Sequence, residues 1–269
     1  MDLLQEIEKQ MIPEDKLHIY FMGQSGYVLK TYDSTIYIDP YLSDYIENPS
    51  GLNDKKMVRN FPPPFDPEMI TNCDAIICTH AHVDHMDPWT IQNINVDFKL
   101  YCSIGAYDQS PVKYPKANTI FLEPGKKVRL NDFIIEPIPA AHYQLQDKQG
   151  RPDCLSFMIK YHNKTLFFWG DGIIYDGLID RLKQANFDYF FAPINGRDKL
   201  REQQGIVGNL KAKELAELCK NLNIKMVIPN HYDMFKNNTE SIEYFNECLQ
   251  NIFPNQKSII MRCGDKIDA

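Results

Sequence analysis

The residues best suited to chemistry lie close together, between positions 80 and 87. Their order is His80, His82, Asp84, His85 and Asp87. Neutral imidazoles and carboxylates are the ligands that zinc, iron and manganese bind in proteins, and carboxylates favour the harder of these ions. An array with this spacing rarely arises by chance, so a metal site is favoured over a polar loop that is merely rich in histidine.

The flanking residues predict a strand-to-helix turn that would position these side chains. Residues 75–78 form an uncharged, apolar run bounded by polar residues, which predicts a short buried strand. Asp87 followed by Pro88 indicates the start of a helix, because the carboxylate can accept hydrogen bonds from the first N–H groups and proline suits the first helical position. On such a turn, imidazoles from neighbouring residues can converge on one point.

Further polar residues follow other predicted strands. They are Asp39 after 35–38, His142 after 131–138, Asp171 after 165–169 and His231 after 225–229. Loops at strand ends can converge while the sheets hold them in place, so ligand sites collect there. We expect these residues near the 80–85 cluster, with Asp39 either hydrogen-bonded to a ligand imidazole or an ordinary turn residue. Gly170 and Gly172 predict a close approach of the backbone to a bound group.

The two remaining histidines are predicted to be structural. His18 lies inside a predicted strand, far from the cluster and without a motif, and His162 lies at the tip of a predicted hairpin. The spacing of apolar residues also predicts helices over residues 2–11 and 242–252, and a closing strand over 258–261.

Composition limits the class of protein. The chain has 269 residues, 43% of them hydrophobic, a net charge of −7 and seven cysteines without a C-x-x-C motif. This length can bury a large core, and because no linker is visible we expect one domain over residues 1–269. The acidic charge argues against nucleic acid and anionic membranes as partners. Scattered cysteines indicate a reducing compartment, and without a signal peptide or membrane-spanning apolar run we expect a cytoplasmic protein.

Four residues are candidates for contacting a small, anionic substrate. Arg197 and Arg201 follow a predicted buried strand, and a guanidinium offers a planar fork of donors to phosphate or carboxylate. The alternative is an exposed helix, because acidic residues are interleaved with these arginines. Arg59 precedes three consecutive prolines in a stiff loop that we expect to line the substrate cleft, and Tyr232 follows a candidate ligand. The sequence leaves open whether the chain forms a homo-oligomer.

The order of the candidate ligands resembles the signature of the metallo-β-lactamase superfamily. The residues that carry this resemblance are His80-x-His82-x-Asp84-His85, His142, Gly170-Asp171 and His231. The sequence is most similar to the branch of L-ascorbate-6-phosphate lactonase and uncharacterised metal-dependent hydrolases. The stretches that carry this closer similarity are Gly23-Gln24-Ser25-Gly26, residues 38–44, residues 195–198 and residues 228–232. The resemblance covers nearly the whole chain.

The resemblance implies an α/β (α+β) fold, a four-layer αβ/βα sandwich, with two divalent metal ions at one edge. The ligands that it implies are His80, His82 and His142 for one metal, Asp84, His85 and His231 for the other, and Asp171 between both. Asp39 would then form a hydrogen bond with a ligand imidazole without binding the metal itself. The lactonase branch and the all-nitrogen and oxygen ligand set favour Mn²⁺ or Zn²⁺, with manganese slightly preferred.

The implied chemistry is hydrolysis by a hydroxide that two metals share. Such a site needs no serine nucleophile, and Asp84 could orient the water or accept its proton. The first interpretation is therefore a lactonase that acts on a phosphorylated sugar lactone, and the alternative is a small-molecule phosphodiesterase of the same fold. A redox enzyme is less favoured, because His82 stands where flavodiiron oxidoreductases of this fold carry glutamate. A non-catalytic metal-binding protein is disfavoured by the complete ligand set.

Overall fold

The structure, a computed structural model, describes residues 2–111 and 114–269. In the described residues the strands are β1 His18–Gly23, β2 Gly26–Lys30, β3 Thr35–Ile38, β4 Ala75–Ile77, β5 Lys99–Cys102, β6 Thr119–Phe121, β7 Val128–Leu130, β8 Phe133–Pro139, β9 Leu155–Tyr161, β10 Lys164–Phe168, β11 Asn186–Pro193, β12 Asn223–Asn230, β13 Lys257–Ser258 and β14 Lys266–Asp268. The helices are α1 Leu3–Lys9, α2 Pro88–Asn93, α3 Ile104–Gln109, α4 Leu178–Leu182, α5 Lys199–Gln203, α6 Ala212–Asn221 and α7 Ile242–Ile252, with short 3₁₀ turns at Pro67–Met69 and Lys116–Asn118.

The described strands form two mixed sheets. The strand order is β14-β1-β2-β3-β4-β5-β6 in the first sheet and β13-β12-β11-β10-β9-β8-β7 in the second. Strands β3 to β6 are parallel to one another, and so are β10 to β13. Because β8 and β10 both run antiparallel to β9, they point the same way. By the same reasoning β1 points the same way as β3. Within each sheet the carboxyl ends of these parallel strands therefore share one edge.

Side chains that alternate between the two faces of these strands, and are buried on both, build four layers. One core lies between the sheets, where Ile19 and Ile77 of the first sheet share a cluster with Phe157 of the second. The opposite faces of the strands pack against helices: Ile7 of α1 joins the outer cluster of the first sheet, and Leu215 of α6 joins that of the second. Such alternation places every second side chain of a strand on the same face. The predicted αβ/βα sandwich is confirmed.

Local signals gave several element ends correctly. The helix predicted after Asp87 begins at Pro88, and the Asp87 carboxylate accepts the backbone N–H of Trp89 at 3.1 Å. The predicted N-terminal helix is shorter than residues 2–11, since it begins after its cap Asp2 and ends at Lys9.

Among the described residues, no helix is long and apolar enough to span a bilayer. That residues 1–269 make one domain stays a prediction.

The closing strand predicted over residues 258–261 is wrong in its extent. Only Lys257–Ser258 pairs in the second sheet, whereas Lys266–Asp268, which the sequence pattern did not predict, pairs with β1 in the first. The apolar character of the predicted stretch has another cause. Ile259 packs against the core between the sheets and Ile260 against the outer core of the second sheet, so this segment buries side chains on both faces beyond its short ladder.

The aromatic stack between the sheets yields a stability prediction. Phe191 stacks on Phe168 with 4.5 Å between ring centroids, and its ring lies 4.7 Å from that of Tyr27 in the first sheet. We expect Phe191→Ala to lower the free energy of unfolding by about 3–5 kcal/mol, because it opens a cavity that the rigid sheets cannot fill. Met11→Ala, at a side chain 81% exposed, should change it by less than about 0.5 kcal/mol. Urea unfolding measures both, and a Phe191→Ala loss below about 1 kcal/mol would contradict the prediction.

Candidate metal centre

Seven side chains from both sheets meet at the edge where the strands end. They form two groups, and within each group one ligand atom from every residue lies within 4.8 Å of the others. The first ligand group is His80, His82, His142 and Asp171. The second ligand group is Asp84, His85 and His231. Residues 80–85 follow β4 of the first sheet, whereas residues 142, 171 and 231 follow β8, β10 and β12 of the second.

Asp171 lies between the two groups. Its Oδ2 atom is 3.8 Å from Nε2 of His142 in the first ligand group and 3.4 Å from Nε2 of His231 in the second. Its Oδ1 atom is 3.4 Å from Nε2 of His85. The side chain of Asp171 is only 5% exposed, so these distances are set inside the protein rather than at its surface. A single carboxylate thus faces imidazoles of both groups.

Several of these ligand atoms are buried without a hydrogen-bond partner among the described residues. They are Nε2 of His80, Nε2 of His85 and Oδ1 of Asp171. A buried polar atom without a partner costs about 1–3 kcal/mol, so such atoms normally indicate a missing partner. A divalent cation would supply that partner, and nitrogen and carboxylate oxygen are donors that zinc and manganese accept. The residues therefore fit a metal centre.

Asp39 lies behind a ligand imidazole. Its Oδ2 atom is 2.7 Å from Nδ1 of His85. Thr79 completes the arrangement, because its N–H donates to Oδ1 of Asp39 and its hydroxyl donates to Oδ2, both at 2.7 Å. Burial raises the pKa of Asp39, although His85 and Thr79 oppose this rise. A carboxylate in this place fixes the orientation of the ring and leaves Nε2 to face the metal site.

The carboxylates control the protonation of the second ligand group. Burial alone would lower the pKa of His231, but Asp171 and Asp84 outweigh burial and raise it to about 9. The pKa of His85 is raised well above its usual value for the same reason. In the first ligand group burial dominates and lowers the pKa of His142 to about 4. At neutral pH the metal-free site therefore holds protons on one side and neutral imidazoles on the other.

Left-handed backbone conformations concentrate at this edge. Gln24, Asp39, Tyr143 and His231 have φ values of 55°, 43°, 68° and 57°. A residue with a side chain seldom adopts this conformation, which costs about 1–3 kcal/mol and persists only where the surrounding structure fixes it. Gln24, Asp39 and His231 each turn the chain directly after a strand, and their side chains contact other residues of the site.

The glycines that flank Asp171 lie close to other segments of the chain. A Cβ atom on Gly170, where φ is 68°, would lie 2.7 Å from Cγ2 of Thr79, and a Cβ atom on Gly172 would lie 2.9 Å from the carbonyl oxygen of Ala141. The close approach seen here is between segments of the chain itself, and an approach to a bound group stays a prediction. The glycines let the Asp171 turn pack against the segments that carry the other ligands.

The sequence did not single out Gln24 as a functional residue, although its turn carried part of the family resemblance. Gln24 is 1% exposed and follows β1 at the same edge as the ligands. Its Nε2 atom is 2.7 Å from Oδ2 of Asp84. The signal that could have found it is the one used for the ligands, namely a polar residue at the point where an apolar strand ends.

A second feature that the sequence did not reveal is a chain of buried amides. Asn209 accepts the N–H of Gly172 at 2.8 Å and donates to Oδ1 of Asn195 at 3.1 Å. Asn195 in turn donates to Oδ1 of Asn238 at 2.8 Å, and Arg201 donates to the carbonyl oxygen of Asn195. These side chains tie the loop after β11 to the Asp171 turn. Arg201, predicted to bind substrate, has a place in this network.

The other substrate-binding candidates have partners within the chain. Arg197 pairs with both carboxylate oxygens of Glu214 at 2.7 Å and also donates to the carbonyl oxygen of Asn209. Its fork of donors is thus engaged, in the way that a role in supporting the fold requires. The pKa of Arg197 is raised by its hydrogen bonds to Glu214. Anion binding by Arg197 or Arg201 stays a prediction.

Arg59 and Tyr232 are also engaged. Arg59 donates to the carbonyl oxygens of Phe61 at 3.0 Å and Ser43 at 2.9 Å, so it holds two loop segments together. The Tyr232 hydroxyl is buried and donates to the carbonyl oxygen of Met261 at 2.9 Å. Substrate contact by these two residues likewise stays a prediction.

The proline-rich loop is anchored beside the turn that carries the last ligand. The N–H of Asn60 donates to the carbonyl oxygen of Met234 at 2.7 Å, and its side chain donates to that of Asp233 at 2.6 Å. Pro62 and Pro63 line two surface clefts. These hydrogen bonds anchor one end of the loop, and its stiffness and its role as a wall of the substrate cleft stay predictions.

The two histidines predicted to be structural lie outside both ligand groups. His18 is in β1, where its Nε2 atom is 3.4 Å from a carboxylate oxygen of Asp268. Burial lowers the pKa of His18. His162 is exposed in the turn between β9 and β10, with a φ of 47°.

Comparison with known proteins agrees with this architecture. Residues 34–232 match the family model of the beta-lactamase superfamily domain. A UPF0173 metal-dependent hydrolase from Caldivirga maquilingensis is 23% identical over 258 residues, which are 93% of this chain and 97% of the relative. A protein described as "Probable L-ascorbate-6-phosphate lactonase UlaG", from Escherichia fergusonii, is 22% identical over an alignment that covers 87% of this chain and 75% of that protein. The isothiocyanate hydrolase from Delia radicum gut bacteria has the same fold, with a TM-score of 0.72 and 16% identity over 93% of this chain and 98% of the other.

The raised pKa values of the second ligand group predict that metal binding releases protons. His231, with a pKa of about 9, carries a proton at pH 7.5 in the metal-free protein and must lose it to bind a cation. We expect metal affinity to rise about tenfold per pH unit for each proton released, until the pH passes about 9. Calorimetric titration in buffers of different ionisation enthalpy counts the protons. Uptake that releases none would contradict the prediction, and His162→Gln at the exposed turn should leave the count unchanged.

The packing of the Asp171 turn predicts a clash that a matched glycine isolates. Gly170→Ala combines the cost of a left-handed alanine with an overlap against Thr79. Gly125→Ala, at a φ of 85° with no atom of the described residues within 4 Å, carries the backbone cost alone, about 1 kcal/mol. We expect Gly170→Ala to lower the free energy of unfolding by a further 1–3 kcal/mol or so and to weaken metal binding. Equal unfolding and metal titration curves for the two variants would disprove this.

Proposed function

This chain belongs to the metallo-β-lactamase superfamily and is a metal-dependent hydrolase of that fold, and we propose that it opens lactones, with a phosphorylated sugar lactone as the substrate to test first. The observation that carries the proposal is the position of Asp171 between two ligand groups. Paired cations suit attack by water on an ester carbonyl. The similarity to relatives described as lactonases supports the choice of a lactone over other esters.

The residues of the site would have separate roles in metal binding and hydrolysis. The first ligand group would hold one divalent ion and the second ligand group another, with Asp171 facing both. When bound, Mn²⁺ or Zn²⁺ would supply Lewis acidity that activates water and polarises the substrate carbonyl. Asp39 keeps the His85 ring oriented through its 2.7 Å contact. Asp84, at the boundary between the ligands and Gln24, is our candidate for orienting the attacking water or accepting its proton.

The charge of the chain supports a small molecule as the partner. A net charge of −7 disfavours nucleic acid and anionic membrane surfaces, because like charges repel. An anionic substrate would then need local cationic groups, and a bound metal provides these without any free arginine. A cytoplasmic location and a homo-oligomeric state stay predictions.

Turnover on two substrate classes tests the proposal. Purified protein with added Mn²⁺ or Zn²⁺ should hydrolyse phosphorylated sugar lactones, and Asp171→Asn should lower kcat/KM at least about 100-fold because it weakens a carboxylate that both ligand groups face. The control is Asp180→Asn, at a carboxylate that is 85% exposed and forms an ion pair with Lys183 at the surface, and it should retain full activity. Cleavage of bis-p-nitrophenyl phosphate alone would replace the lactonase by a phosphodiesterase. Turnover of neither class would overturn the proposal.

A further inference from the structure

Gln24 is a buried polar residue that the ligand groups by themselves do not explain. It lies in the turn Gly23–Gly26 between β1 and β2, is 1% exposed and has a φ of 55°. An amide side chain is costly to bury unless its hydrogen bonds are made, and a left-handed backbone adds a further cost. Both costs are incurred at one position, so the contacts of this residue need a reason.

The side chain of Gln24 reaches into the second ligand group. Its Nε2 atom is 2.7 Å from Oδ2 of Asp84 and 2.9 Å from Nε2 of His231. The same oxygen of Asp84 is 3.4 Å from Nε2 of His231. The amide therefore lies against the two ligand atoms that face each other across this part of the site.

The backbone of Gln24 also holds this group. Its carbonyl oxygen accepts the N–H of His231 at 2.9 Å. His231 itself is left-handed, with a φ of 57°, so this hydrogen bond fixes a turn that has little intrinsic preference for its conformation. Through one residue, the first sheet thus contacts Asp84 with a side chain and the ligand turn of the second sheet with a carbonyl group.

These contacts are specific to one of the two groups. In the described part of the chain, the side chain of Gln24 donates a hydrogen bond to Asp84 and contacts the ring of His231, both members of the second ligand group. A carboxylate ligand has several lone pairs on each oxygen, so Oδ2 of Asp84 can accept an amide N–H and still bind a cation. Hydrogen bonds to ligand side chains of this kind set their orientation, and losing one typically weakens metal binding about 10- to 100-fold.

We propose that Gln24 is a positioning residue for the second ligand group: its amide holds Asp84, and its carbonyl group holds the turn of His231, so that the cation site is formed before the cation arrives. The inference rests on the proposed function only in that the second ligand group holds a metal. It says nothing of the substrate. Gln24 acts through Asp84 and His231 and takes no part in bond breaking.

Two substitutions at Gln24 test this role. Gln24→Met keeps the length of the side chain and removes the donor. Gln24→Asn keeps the amide but withdraws it from Asp84 by one methylene group, and asparagine tolerates the left-handed backbone, so this variant should stay folded. Each should weaken one step of metal binding about 10- to 100-fold, measured by chelator competition and by the absorption of bound Co²⁺. The matched control is His162→Met, a left-handed residue at an exposed turn, which should bind metal as the wild type does.

A third variant, Asp84→Asn, shows which step of metal binding is affected, because it removes a charge from the second ligand group. The Gln24 variants should weaken the same step as Asp84→Asn, and Gln24→Met should add little in the Asp84→Asn background, because it acts through that carboxylate. Wild-type metal affinity in both Gln24 variants would overturn the proposal. Additive losses of metal affinity in the double variant would also overturn it. So would equal weakening of every metal-binding step together with a lower melting temperature. Because no substrate enters these measurements, the inference and the lactonase proposal can fail separately.

Discussion

Asp171 brings its carboxylate into a space that histidines from both sheets share, and the rest of the structure depends on that arrangement. The charge is buried beside His85 and His231, whose pKa values it raises, and beside His142, whose pKa burial lowers. Buried carboxylates and imidazoles at such short distances, some of them without hydrogen bonds, lower the stability of the folded chain when no cation is bound. The arrangement becomes favourable when cations occupy the same space, so this edge is organised for metal binding rather than for stability.

The sheets provide the rigidity that such an arrangement requires. Tyr27 of the first sheet packs against Phe168 and Phe191 of the second, and its hydroxyl group accepts the amide N–H of Asn230 at 3.2 Å. Asn230 immediately precedes the ligand His231. The aromatic core thus continues directly into the site. Close packing of large rings resists displacement, and the ligand positions inherit that resistance.

The turns at the strand ends carry the conformational cost of the site. Left-handed residues at Gln24, Asp39 and His231 each lie at the end of a strand of that edge, and each has backbone or side-chain hydrogen bonds to a neighbouring turn. The amide chain from Asn238 through Asn195 and Asn209 supports the Asp171 turn in the same manner. Strained turns remain where many contacts determine them, and here these contacts come from both sheets.

The sequence by itself determined which candidate ligands meet at this edge and which elements carry them. The spacing of His80, His82, Asp84 and His85, and the strand-end positions of the other ligands, are local patterns that need no knowledge of distant contacts. The sandwich fold followed from a resemblance rather than from periodicity. Only the tertiary structure decided that Gln24 meets Asp84, that Glu214 engages Arg197 and that Gly170 faces Thr79. It also decided that residues 266–268 pair with β1 at the edge of the first sheet. Each of these depends on segments far apart in sequence, which local spacing does not encode because burial against a distant partner decides the outcome.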